Sequence, residues 1–339
     1  MMRTIICLLS EQPIPNLLFI RHMYKPGDSF LFLSTDEMEK RFKSKALLEA
    51  LGFHNRPDVA VKVETIPPYA PAAIYAKLQS LLAGKAGLHL IVNITGGTKI
   101  MSQVAFQFFT TLPQSEIYYW PDSNDRLLRL YPDLADMPLP SLPLINLEDY
   151  LRAHGYSYTY LPMQRSRNDA EYYWNKVLKA GDVRQVPELE KARNNNYTHA
   201  DKPYLTGGWF EEWLHYRLQE HYRLADDQIG LSVQLHDVHG SRPEVPSREL
   251  DVVYVHNHSL YIWEAKVYTM NAIKNAVIIK DLFKLSAIRN TLGLKAQAHF
   301  AVAAKIYNNE QRSTTLKELA RTLNLQRIWD LDTLETLLQ

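Results

Sequence analysis

The sequence predicts two α/β domains in succession: a doubly wound, mostly parallel sheet in the first half, and a second sheet flanked by helices. Three observations carry this. Short apolar runs alternate with amphipathic stretches as far as Tyr131, the βαβα order of a Rossmann-like sheet. A proline-rich segment over 132–143 then breaks the pattern and suits an extended linker. Beyond it, two alternating runs, 249–255 and 260–266, straddle the polar break His256-Asn257-His258-Ser259 and read as a hairpin.

Taken in order, the first half predicts strands over 4–9, 29–34, 61–66, 88–94, 116–120 and 127–131. Helices are predicted over 14–23, 35–51, 72–82 and 98–110. The first is entered through Pro13 and Pro15. The second has Ser34 or Thr35 as N-cap and Asp36-Glu37 in its first turn. The connecting region reads as structural, with helices over 147–152, 169–178 and 187–193 and a turn at Asn194-Asn195-Asn196. In the second half Gly207-Gly208 reads as a break before a helix over 209–221. Phe210, Trp213, Leu214 and Leu218 form its apolar stripe, and Glu211 lies beside it. A strand over 229–235, the hairpin, and a helical stretch over 271–292 with Lys274, Lys280, Lys284 and Arg289 follow. A strand over 298–303, a helix over 314–323 and a strand over 326–329 complete the chain. The expected domains are 1–145, a connector over 146–200, and 201–339.

Composition narrows the function classes. The 339 residues are 46% hydrophobic and 22% charged, ordinary values for a globular protein. A net charge of +1 gives no global attraction to nucleic acid, so any such surface is a local patch. The one cysteine, Cys7, excludes an intramolecular disulfide and fits a reducing compartment. The N-terminal apolar run lacks a cleavage pattern and no stretch approaches about 20 apolar residues, so a cytoplasmic chain without a membrane span is expected.

The chemistry concentrates on the hairpin. Residues two apart on a strand share a face, so Glu264 and Lys266 project together, and Asp251 can sit opposite them. Two carboxylates and an ammonium at one point suit metal-assisted phosphodiester hydrolysis, with hard oxygen ligands for Mg²⁺ or Mn²⁺. A Glu-x-Lys on an exposed strand is ordinarily a solvated pair. Here Val252, Val253, Ile262 and Trp263 make the strands half-buried, and buried charge needs a reason. Glu211 offers a further carboxylate. Lys280 and Lys284 share a helix face that is either solvated or turned toward the acidic cluster.

A second set of polar residues marks the carboxyl ends of the first and fourth strands, where doubly wound sheets bind ligands. One group is Ser10, Glu11, Gln12 and Asn16. The other is Asn93-Ile94-Thr95-Gly96-Gly97-Thr98-Lys99. The glycine pair is either a tight strand-to-helix turn with Thr98 as N-cap, or a place where backbone amides meet a phosphate-bearing nucleotide. The coincidence of glycine, threonine and lysine favours the nucleotide.

Gly207-Gly208-Trp209-Phe210-Glu211, Glu249-Leu250-Asp251 and Glu264-Ala265-Lys266 resemble a PD-(D/E)xK nuclease core. Residues 10–16 and 93–99 resemble a CARF domain, the CRISPR-associated Rossmann-like sensor. Together the two halves are similar to the CARF–nuclease ancillary effectors of type III CRISPR systems. The resemblance implies a homodimer that binds a cyclic oligoadenylate, usually cyclic tetra-adenylate, across its two-fold axis and then degrades DNA, RNA or both. It implies Asp251 and Glu264 as metal ligands for Mn²⁺ or Mg²⁺, Lys266 as catalytic lysine, and Glu211 as an assisting carboxylate. Ala265 would offer only its backbone carbonyl. Ser10, Gln12, Asn16, Thr95, Gly96, Gly97, Thr98 and Lys99 would hold the activator. Leu250 stands where the family name has proline. Two other readings share these residues: an activator-independent restriction or repair nuclease, and a nucleotide-sensing regulator with a degenerate nuclease domain.

Overall fold

The computed structural model describes residues 3–84, 87–121, 126–139, 145–194, 196–240, 243–268, 275–306 and 310–337. The chain divides into two compact units, Met1–Ser157 with Val238–Ser241, and Tyr158–Asp237 with Arg242–Gln339. The expected connector is thereby shared between them.

The first unit runs β1 (Arg3–Leu8), α1 (Ile14–Met23), β2 (Ser29–Ser34), α2 (Asp36–Lys40), α3 (Lys43–Ala50), β3 (Val61–Thr65), α4 (Pro71–Leu82), β4 (His89–Asn93), α5 (Lys99–Phe109), β5 (Ser115–Tyr119), β6 (Arg126–Tyr131), β7 (Ala135–Pro138) and α6 (Leu147–Ala153). Its sheet order is β3-β2-β1-β4-β5-β6-β7. The first five of these strands are parallel, and β6 and β7 return antiparallel. Ile5, Ile6, Cys7 and Leu8 of β1 are all fully buried, as an unbroken apolar run must be when helices cover both faces. Burial also pushes the Cys7 thiol up, so it is core rather than a reactive thiol. The chain goes from β1 to β2 on one side and reaches β4 on the other. The gap between the carboxyl ends of β1 and β4 is therefore the switch point of the sheet.

Two local differences from the sequence reading have clear causes. The helix expected over 35–51 is two helices, because Phe42 takes a left-handed conformation (φ 55°). Arg41 and Lys43 on either side of it both pair with Glu11. The proline-rich segment contributes an edge strand, β7, where Pro138 interrupts no interior ladder. Residues 140–144 lie outside the described ones.

The second unit holds β8 (Tyr156–Tyr160) from Tyr158 on, α7 (Arg167–Ala180), α8 (Pro187–Ala192), α9 (Trp209–Tyr222), β9 (Ile229–Asp237), β10 (Arg248–His256), β11 (Ser259–Lys266), α10 (Asn275–Thr291), β12 (Gln297–Val302), α11 (Glu310–Thr322), β13 (Arg327–Trp329) and α12 (Leu331–Leu337). The sheet order is β13-β12-β11-β10-β9-β8. The hairpin of β10 and β11 sits at its centre and closes through Asn257 and His258, both at positive φ, as a two-residue hairpin turn requires. The expected glycine break is instead a π-helical turn over Tyr204–Gly208 that runs directly into α9. Lys274 lies outside the described residues. The unexpected strand β8 is a tyrosine-rich edge whose burial pattern carries no clear alternation. No helix among the described residues is long and apolar enough to cross a membrane.

A buried neutral histidine makes the second unit acid-sensitive. His299 packs against Trp263 and Trp329, with ring centroids at 4.4 and 6.3 Å, and its Nδ1 accepts from Trp329 Nε1 at 3.1 Å. Burial lowers its pKa to about 3. Between that value and the ordinary 6.5 the unfolded chain binds the extra proton, so stability falls as pH drops below 6.5. His299→Phe is expected to lose about 2 kcal/mol less than the parent between pH 6.5 and pH 5, measured by urea denaturation. An equal loss in both proteins would refute this.

Candidate functional site

The hairpin delivers its charged side chains to one point. Val252 pairs with Trp263 across β10 and β11, which sets Asp251 and Glu264 opposite each other one step further along. Both are buried, Asp251 at 9% exposure and Glu264 at 2%. The Lys266 ammonium lies 2.7 Å from Glu264 Oε1 and 3.0 Å from Asp251 Oδ2, so one cation bridges both carboxylates. The Ala265 amide also donates to Asp251 Oδ2, at 2.8 Å. Burial works against the Lys266 charge, but Asp251 and Glu264 outweigh it and hold the ammonium above its ordinary range. Burial first, and then the Glu264 charge, push Asp251 up to about 6.

Two helices complete the cluster. The π-turn that replaces the expected break sets the phase of α9, and adjacent carboxylates diverge. Glu212 turns into the interior, where Oε1 accepts from the amides of Gln164 and Arg165. Glu211 faces the hairpin. Burial and then the Asp251 charge raise its carboxyl to about 7, and its Oε2 accepts from Ser232 Oγ at 3.3 Å. From α10, Lys284 Nζ reaches within 3.4 Å of Glu264 Oε1, which decides the open reading of its helix face. Sequence reasoning did not reach Ser232. It sits on β9 at φ 46°, between the pairs Leu250–Val233 and Val252–Leu231, as a local irregularity facing Asp251. Nothing in a serine signals a positive φ.

Among the described residues no group of three or more His, Cys, Asp or Glu side chains is placed to hold a metal ion. The Lys266 ammonium instead stands between Asp251 and Glu264. The donor set nevertheless fits a hard divalent cation. Two buried carboxylates face each other, and a third carboxyl is raised by the charge of the first. A cation would relieve that repulsion.

At the switch point of the first sheet, the predicted ligand residues divide into framework and surface. Asn16 is buried, donates to Leu8 O at 2.9 Å and accepts from Asn93 Nδ2 at 2.8 Å. Asn93 Oδ1 takes the Thr95 amide and hydroxyl, at 3.1 and 2.6 Å, and Thr95 Oγ1 accepts from Trp120 N. The Thr98 hydroxyl caps α5 and donates to Pro68 O at 2.7 Å. These three side chains spend their polar groups holding the loop. Ser10 Oγ donates to Gln12 O at 3.3 Å. Gly96 and Gly97 bring the loop against β1, and Lys99 stands exposed at the start of α5. Asn93 and Ser102, which donates to the carbonyls of Ile94 and Gly96, belong to the same framework.

Comparison with known proteins agrees with both halves. A family model described as the Card1 CARF domain matches residues 4–150, and one described as the Card1-like endonuclease domain matches residues 199–330. Among solved structures, the chain is similar to Can2 from Sulfobacillus thermosulfidooxidans in complex with cyclic tetra-adenylate. The TM-score is 0.75 at 18% identity, over 99% of this chain and 97% of the other. Protein VC1899 from Vibrio cholerae gives the same score and identity, over 99% and 96%. A type III CRISPR defence DNA nuclease activated by cyclic oligoadenylate matches with a TM-score of 0.59 at 21% identity. That match covers 89% of this chain and 45% of the other, longer one. At these identities the likeness establishes the fold. No curated protein matches the chain.

Proposed function

We propose, from the premise that the chain belongs to the CARF endonucleases of the Card1 type, that it is a metal-dependent nuclease of type III CRISPR defence switched on by a cyclic oligoadenylate. The observation that carries the catalytic half is the Lys266 ammonium shared between two opposed buried carboxylates. Asp251 and Glu264 would hold Mg²⁺ or Mn²⁺, with Glu211 assisting. The ion, when bound, supplies Lewis acidity and a more acidic water. Lys266, released from the carboxylates it now bridges, would turn to the scissile phosphate. Glu211, poised near pH 7, would give up its proton as the positive charge arrives. The substrate is DNA, RNA or both.

The sensing half would use the loops at the switch point. The relative solved with cyclic tetra-adenylate supports that ring as the activator. A two-fold symmetric ring suits a homodimer whose two copies present the same loops. Activation then requires that the ring bind the active state more tightly than the resting one.

The test is a cleavage assay with Mn²⁺ on single-stranded DNA, single-stranded RNA and supercoiled plasmid, with and without cyclic tetra-adenylate. Cleavage only with the activator supports the proposal. Cleavage without it moves the reading to a restriction or repair nuclease. Lys99→Ala is expected to raise the activator concentration needed for half-maximal cleavage roughly tenfold, the loss of about 1.4 kcal/mol of binding, with the maximal rate unchanged. An unchanged activation curve would remove Lys99 from the site.

A further inference from the structure

A second concavity in the nuclease unit, of about 740 Å³, lies between the carboxyl-terminal ends of α10 and α11 and the start of β13. Its polar lining is Arg289, Lys317, Arg321, Asn324, Gln326 and Arg327: four cations, two amides and no carboxylate. In a chain with a net charge of +1, that is a strong local excess. Two of the cations, Arg289 and Arg327, are also held in place by neutral groups. The Arg289 guanidinium bonds Ala296 O at 2.8 Å, Asn290 Oδ1 at 3.1 Å and Leu294 O at 3.4 Å, all neutral acceptors. Arg327 is stacked over the Trp329 ring at 4.3 Å. Fixed guanidinium groups beside amide donors match phosphate oxygens, which they can meet in pairs.

We propose that this pocket between α10, α11 and β13 binds backbone phosphates of the nucleic-acid substrate at a distance from the bond that is cut. The inference rests on the nuclease reading above and adds a place to it. Helix α10 carries residues of both places: Lys284 stands at Glu264, and Arg289, about 7.5 Å further along the axis and about 140° around it, lines the pocket. A strand that leaves the catalytic carboxylates and passes around α10 would meet the pocket within a few nucleotides. The pocket reads phosphate and not base, so it favours longer substrates without choosing their sequence.

The test uses the full chain carrying Glu264→Gln, so that the probe survives, with activator and Mn²⁺ present. Binding of fluorescein-labelled strands of about 30 nucleotides, single and duplex, is followed by anisotropy across a salt series. Arg321→Gln with Arg327→Gln is expected to weaken binding at least tenfold and to lower the salt slope by about 1.4 to 1.8. On the otherwise native chain the pair should raise KM and leave kcat unchanged. Arg321→Lys with Arg327→Lys should keep most of the affinity, and melting curves check that each variant is folded. Lys179→Gln with Lys191→Gln, on the exposed faces of α7 and α8, should change neither. Equal binding by the Gln pair and its parent would overturn the pocket while cleavage by the native chain upheld the nuclease. Equal losses from both pairs would replace the pocket with a diffuse positive coat. A native chain that neither cleaves nor binds any nucleic acid would overturn both proposals.

Discussion

Lys266→Ala is expected to lower cleavage by roughly 10²–10⁴-fold while leaving activator binding unchanged. Among the described residues the Lys266 ammonium is the one group that touches both opposed carboxylates, at 2.7 and 3.0 Å, and the Ala265 amide fixes the Asp251 oxygen that it touches. Alanine removes the positive charge from the place where phosphate charge would develop. It also strands two buried acids. Lys284 still lies near Glu264, and Asp251 keeps the Ala265 amide but no cation among the described residues. Breaking a buried pair from one side costs about 3–5 kcal/mol, so the melting temperature should fall as well. This loss can be separated from the catalytic one. Mn²⁺ should stabilise Lys266→Ala more than it stabilises the native chain, because it no longer competes with the ammonium, and cleavage should stay lowered by the same factor at full metal occupancy. Glu264→Ala removes a proposed metal ligand, so it should lose cleavage and gain little from Mn²⁺. The site assignment fails if purified Lys266→Ala cleaves at the native rate.

The convergence of Asp251, Glu264 and Lys266 was legible because a strand has a period of two. Glu264 and Lys266 must share a face, and a hairpin closed at Asn257-His258 must bring Asp251 opposite. The doubly wound order and the switch point were legible for a related reason, since buried parallel strands are unbroken apolar runs. What could not be read depends on backbone conformations that no residue type announces. Phe42 and Ser232 adopt positive φ without being glycine, one splitting a helix and the other bending β9 beside Asp251. Gly207 and Gly208 suggest a break, yet the chain coils through them as a π-turn. That extra turn decides which of two neighbouring glutamates faces the hairpin. In the loop after β4, residue types pointed to the switch point of the sheet but not to the division of labour there. Asn16 and Thr95 look like ligand contacts in sequence. Their partners, Leu8, Asn93 and Trp120, lie on other segments and take up their polar groups.

That division of labour gives the second large effect. Gly96→Ala is expected to abolish activation at every activator concentration. A Cβ at this position would lie 2.0 Å from the Leu8 carbonyl oxygen and 3.0 Å from its carbon. Both are backbone atoms of the central strand, so no side-chain rotation relieves the contact, and either β1 or the loop after β4 must move. The same Leu8 oxygen accepts from Asn16, which in turn accepts from Asn93, which holds Thr95. A displaced carbonyl therefore loosens the whole chain of bonds that shapes the loop. A cost of roughly 1–3 kcal/mol in overpacking and strain, set against an activation free energy of similar size, is enough to lose the response. Gly97→Ala should be milder. It meets side chains at 3.1 to 3.3 Å and must adopt a φ of 75°, a strain that the local backbone can share. Lys99→Ala, with no framework contact, should only shift the activation curve. The ordering Gly96 above Gly97 above Lys99 can be checked by activation curves alongside melting temperatures. If Gly96→Ala activated normally, the close packing of this loop on β1 would have no part in sensing. The activator would then have to be sought elsewhere on the first unit.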